Sequence, residues 1–291
     1  IKGSTDKEQT LEVDEAWLMS QKKPIFFEAK KEEIHNAEYW GLADMTTAKD
    51  SKTKLKHLII PFNSNVDDIF KNKYLSPRPP YTTLQIPAQG IGEWCLPKKT
   101  AEINDSAYRA TIVDNIFDTK QGVTFASPAN GNNIAYTSLW DNYPDSIDVP
   151  AKGKGHQAWL LMAGSTNNMQ SRIDNGVVIA MYADGSSDTL RLRNPENWCP
   201  IEQDYYTDGL AFSTVQPRPY RIHLGSGMVS RDLYGDLMSQ GIIKKHTRTA
   251  EQNIIPDGAA QMLNMKLNPN KKLKCFRIKT LSNEVVIGVM A

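Results

Sequence analysis

The chain has 291 residues, 40% of them hydrophobic and 23% charged, a balance that supports a packed core and excludes a disordered segment. Lysine and arginine number 34 against 33 aspartate and glutamate, a formal net charge of +1, so the basic excess that neutralises nucleic-acid phosphates is missing. No apolar run approaches the roughly 18 residues that cross a bilayer, and three cysteines without a CxxC spacing exclude a sequence-defined zinc site and a disulfide-dense scaffold.

The chain opens Ile1-Lys2-Gly3-Ser4, with neither a methionine nor a secretory signal, which reads as a piece of something longer. Alternation predicts strands near Leu11 to Val13 and at Leu55 to Ile60. Asp67 to Leu75 fits a short helix stopped by Pro77. Pro77-Arg78-Pro79-Pro80 then forces an extended crossing. A change of composition at residues 97–106 divides the chain softly, with a β-rich segment over 1–99 and the main body over 100–291. Whether 1–99 is a small domain or an arm on the main body is left open by the residues.

In the main body, Ala158 to Ala163 is a continuous apolar run between Gly155 and Gly164, as expected of a strand buried on both faces. Trp159 inside it reads as core. Val177 to Tyr182 and Thr189 to Arg193 flank Asp184-Gly185, a tight hairpin. Asp232 to Lys245 is a second helical candidate, with Gly235 and Gly241 against it. Leu273 to Leu281 and Val285 to Met290 read as a strand pair around Ser282-Asn283, with a bulge at Cys275-Phe276 where the alternation shifts. Lys271, Lys272, Lys274 and Arg277 are interspersed with apolar residues, the pattern of a solvated strand face. Many short strands parted by Gly, Pro, Asn and Asp make an all-β sandwich or barrel the expected class.

The five histidines, His35, His57, His156, His223 and His246, form no HExxH or HxH pattern. Ser165 follows the apolar run but lacks the GxSxG elbow, and Leu224-Gly225-Ser226-Gly227 matches no phosphate-loop spacing. Carboxylates cluster twice, as Asp141, Asp145 and Asp148, and as Glu196, Glu202, Asp204 and Asp208. A glycoside hydrolase would need two of these facing one another. The same two loops carry Trp140 and Tyr143, and Trp198, Tyr205 and Tyr206. Such rings stack on sugar faces, while Asp141, Asp145, Asn197 and Glu202 offer hydrogen bonds to hydroxyls. The rings would equally serve as core at the ends of a sandwich. No cofactor is called for, although the loop oxygens would suit a structural calcium without EF-hand spacing. Trp94-Cys95 and Trp198-Cys199 are read as buried free thiols, with a Cys95–Cys199 bridge as the alternative.

Several stretches together carry a resemblance. They are Asn104 to Arg109, Phe117 to Phe125, Ala158 to Thr166, Tyr182 to Ser186, Asn194-Pro195-Glu196-Asn197-Trp198, and the ending Leu281 to Met290. They resemble the galactose-binding-like, jelly-roll β-sandwich modules of large bacterial polysaccharide-degrading glycosidase-like proteins, over roughly residues 100–291. The resemblance implies an extracytoplasmic parent protein, with catalysis in a separate domain. It also implies an accessory, carbohydrate-associated role, binding glycan or bracing that catalytic domain. Its partners would be a poly- or oligosaccharide and the other domains of the parent chain, with no nucleic acid and no membrane span. A purely structural interdomain module is the remaining expectation.

Overall fold

Side chains alternate across a strand, so a strand with one polar face can cover a core once, and a strand apolar throughout must be covered twice. Both kinds are present here. The computed structural model describes residues 55–71, 101–140, 142–166, 170–205, 212–243, 254–283 and 285–291. Strands β1 (Ile116–Asp118) and β2 (Thr124–Ala126) form a small hairpin. Then come β3 (Ala135–Ser138), β4 (Ser146–Gly153), β5 (Gln157–Thr166), β6 (Asp174–Tyr182) and β7 (Ser187–Arg193). They are followed by β8 (Tyr220–His223), β9 (Val229–Ser230), β10 (Ala259–Lys266), β11 (Leu273–Thr280) and β12 (Val285–Val289). All pairs are antiparallel, in a six-stranded sheet ordered β3-β12-β5-β10-β8-β9 and a four-stranded sheet ordered β4-β11-β6-β7.

The two sheets face each other across an apolar interior. Val149, Val178, Phe276 and Ile278 of the smaller sheet meet Leu160, Met162, Leu263 and Ile287 of the larger one. The outer face of the smaller sheet is wet, and cross-strand ion pairs run along it. There Arg277 donates to both oxygens of Asp148 at 2.7 Å, and Asp174 is shared by Arg191 and Arg193. The basic stretch of β11 is therefore half of a sandwich wall.

The six-stranded sheet has no wet face over its centre. Leu161, Ala163, Met262 and Val286 point away from the sandwich interior and are covered by a third layer. That layer contains Tyr108 of helix α1 (Ser106–Ala110), Phe117 and Phe125 of the β1–β2 hairpin, and Val66 and Ile69. β5 is thus buried on both sides from Leu160 onward, over most of its apolar run. Residues 55–71 belong to the same body as the described residues of 101–291. Asn63 N donates to Ile134 O at 3.0 Å, and the Tyr136 hydroxyl to Val66 O at 2.9 Å.

Four local expectations change. Leu55 to Ile60 is not a strand: Ile60 is buried and Ile59 is 90% exposed, but among the described residues no ladder forms beside it. The helix expected from Asp67 is one 3-10 turn, Val66–Asp68, before the described residues stop at 71. β11 and β12 do not pair with each other; the turn between them carries the chain from one sheet to the other. The second helix, α2 (Leu233–Ser239), is shorter than 232–245, with Gly241 at φ +73 just beyond its end. The bulge at Cys275 is present as a register shift between Leu273 and Cys275. Among the described residues no helix is long and apolar enough to cross a membrane. The strand candidate at 11–13 and the proline crossing at 77–80 lie outside the described residues.

Gly164 lies mid-sheet in β5, where a Cβ would stand 2.1 Å from Val286 O and 2.7 Å from the Trp198 ring. Gly164→Ala should therefore lower unfolding free energy by about 1–3 kcal/mol or more, as overpacking does. At Gly155 the added methyl meets nothing nearer than Leu267 at 3.5 Å, so Gly155→Ala should be neutral or gain up to about 1 kcal/mol. Urea unfolding of both variants reads the contrast.

Candidate functional site

The loop that follows β7 begins with an amide clamp. Asn197 Oδ1 accepts from Arg193 N, and its Nδ2 donates to Arg191 O, both at 2.9 Å. The clamp turns Trp198 inward, where its ring is 0% exposed and its Nε1 donates to Thr166 Oγ1 at 2.7 Å. A ring that stacks on sugar needs an open face, so the expected platform at Trp198 is core. Glu202 and Tyr205, each 2% exposed, are buried with it. Tyr206 and Asp208 lie outside the described residues.

Beneath this loop sits a guanidinium that sequence reasoning missed. In Tyr220-Arg221-Ile222-His223 the arginine reads as the solvent side of an alternating strand, yet Arg221 is 0% exposed because the loop closes over that side of β8. Its Nη2 donates to Ala259 O at 2.9 Å, and its Nη1 to Gln203 O at 2.8 Å and to Cys199 Sγ at 2.7 Å. Asp204 Oδ1 is 3.7 Å away. Burial pushes the Cys199 thiol up to about 12, and Cys199 and Cys275 are free. Cys95 lies outside the described residues. Glu202 Oε2 has no hydrogen-bond partner. Burial raises the Glu202 carboxyl to about 8, against a smaller opposing pull from Arg221.

The first loop is also tied down. Trp140 is half-buried, with its Nε1 donating to Asn283 O at 2.6 Å. Tyr143 is tilted against Tyr136 at a centroid distance of 5.2 Å, and burial raises its hydroxyl above the ordinary tyrosine value. Asp145 is exposed and accepts from Ser146 Oγ, while Asp148 is held by Arg277. Asp141 lies outside the described residues. Among the described residues the stacking candidates of the two loops are therefore buried or half-buried, and the carboxylates divide between buried, ion-paired and exposed settings. Among the described residues no group of three or more His, Cys, Asp or Glu is placed to hold a metal ion.

Another ring, Trp159, borders a cleft elsewhere. β8 pairs with β10 only from Ala259 to Met262, whereas β10 stays paired to β5 as far as Lys266. Beyond Met262 the chain before β8 turns away and leaves a cleft of about 510 Å³, lined among others by Trp159, Asn197, Gln216, Tyr220, Arg231 and Asn264. Trp159, expected as core, does pack against the outer core cluster, but it is half-buried and borders this gap. Arg231 lies over the Tyr220 ring, 4.1 Å from its centroid, and donates from Nη1 to Arg218 O. The described lining has flat rings, amides and a guanidinium, and no Asp or Glu.

On the other flank β12 stops at Val289, and residues 55–60 cross the gap over a cavity of about 330 Å³. Its wall is mostly apolar, with Leu160, Leu267, Phe276 and Val289, and Trp159 reaches it too. Comparison with protein-family models, with curated proteins and with solved structures gives no match.

Two outcomes follow from the buried cluster. Cys199 should resist iodoacetamide at pH 8 in the folded chain and be alkylated only in denaturant, as peptide mass spectrometry would reveal. The folded state favours the neutral Glu202 carboxyl, so its contribution to stability should be full below about 4.5 and be lost as pH rises to about 8. Melts across that range should show the fall, and Glu202→Gln should flatten it.

Proposed function

We propose that the chain is a non-catalytic, carbohydrate-binding β-sandwich module of jelly-roll type, one part of a larger exported polysaccharide-degrading protein. The observation that carries the reading is the cleft beside Trp159. It offers apolar ring faces beside amide and guanidinium groups, which is what a shallow sugar site needs, since a pyranose has one face for stacking and a rim of hydroxyls for hydrogen bonds. A volume of about 510 Å³ is within the ordinary range for small-ligand sites.

The jelly-roll type is supported by the strand order. Between β3 and β6 successive strands alternate between the two sheets, and so do β10, β11 and β12. β3-β12-β5-β10 lies opposite β4-β11-β6-β7, so paired ribbons nest as they do when two Greek keys wrap one core. β8 and β9 extend the first sheet, and the cleft opens where that extension falls short. Export and a catalytic neighbour come from the resemblance over residues 100–291.

A broad glycan array with a reducing-end assay on every hit tests the proposal. Selective binding without cleavage is expected. Trp159→Ala should weaken the hit about tenfold or more, roughly 1.4 kcal/mol, while keeping a cooperative melt. Release of reducing ends would make the chain an enzyme. Silence from a well-folded sample would leave an interdomain brace.

A further inference from the structure

Resting on the reading of the cleft as a sugar site, we propose that the glycan it takes is acidic, with a uronate carboxylate seated on the guanidinium of Arg231. Arg231 is half-buried at the cleft wall and makes no ion pair among the described residues. The acids of its own neighbourhood are turned to other groups. Asp236 accepts from Ser230 Oγ at 2.5 Å, Asp232 lies against Gly235 at the start of α2, and Asp204 is 3.8 Å from Arg218.

The guanidinium is also fixed in place. It lies over the Tyr220 ring and its Nη1 donates to Arg218 O, so two contacts hold it, and its Nε and Nη2 make no hydrogen bond among the described residues. A preset fork loses little entropy on binding and matches the two oxygens of a carboxylate. The described lining holds no Asp or Glu to repel such a group. Gln216 stands in the same cleft at hand for sugar hydroxyls, and Trp159 supplies the stacking face. A sulfate ester presents the same charge with tetrahedral oxygens, and the fork favours the planar carboxylate.

Calorimetric titration of the full 291-residue chain would compare uronate oligosaccharides, the same oligosaccharides after reduction of their carboxyls to alcohols, and sulfated neutral oligosaccharides. The uronate form should bind about tenfold or more tighter than its reduced counterpart, the scale of one charge-assisted contact, and its affinity should fall with added salt. Arg231→Gln should bring the two within about twofold of each other, and Arg231→Lys should restore only part of the preference. Trp159→Ala should weaken both alike. Equal binding of acidic and reduced forms, or a preference that survives Arg231→Gln in a folded variant, would overturn the acidic assignment while leaving the sugar site intact. Tighter binding of sulfated oligosaccharides would overturn the carboxylate in favour of a sulfate ester. Absence of binding to every saccharide would overturn the assignment and the sugar site together.

Discussion

The tryptophan ring of residue 198 rests on bare backbone at Gly164, and the layout of the upper sandwich depends on that contact. Any side chain at 164 would occupy the space of the ring and of Val286 O. The ring closes the interior between the sheets, and Thr166 takes its only polar atom. Truncating such a ring typically costs about 3–5 kcal/mol. The contact also sets where the loop after β7 can run. That loop covers Arg221, brings Cys199, Gln203 and Asp204 around it, and carries Asn197 to the wall of the cleft.

Much of the fold is legible in the residues, where the signal is local. Asp184-Gly185 marks the β6–β7 hairpin because Gly185 must take a positive φ, +85 here. The run from Ala158 to Ala163 announces a strand covered twice, and the shifted alternation at Cys275 announces a bulge. Local pattern does not say which strand is the partner. Thus Leu273 to Leu281 and Val285 to Met290 are both strands, but they belong to different sheets.

The site is less legible, for the same reason. Trp159 sits in an apolar run and Trp198 in a polar, proline-bounded loop, so sequence reasoning buries the first and leaves the second either a platform or core. The structure seals Trp198 and leaves Trp159 half-buried, packed against the core and bordering the cleft. Burial of Trp159 is limited by where β8 stops pairing with β10, and burial of Trp198 follows from a glycine 34 positions earlier. Arg221 would be found only by knowing that a loop covers its face of the sheet. A hint lay in the residues: Asn197 precedes the tryptophan as an amide able to clamp two backbone groups of the preceding strand.

The most direct measurement of the proposed site is an indole NMR titration. The six tryptophans would be labelled with nitrogen-15 and assigned by single Trp→Phe substitutions, and the chain titrated with the best glycan hit. The account predicts that the Trp159 signal moves with saturation, while the signals of Trp198, sealed in the sandwich, and Trp140, bonded to Asn283, stay in place. Movement of the Trp140 signal with Trp159 unchanged would contradict it and return the site to the first loop.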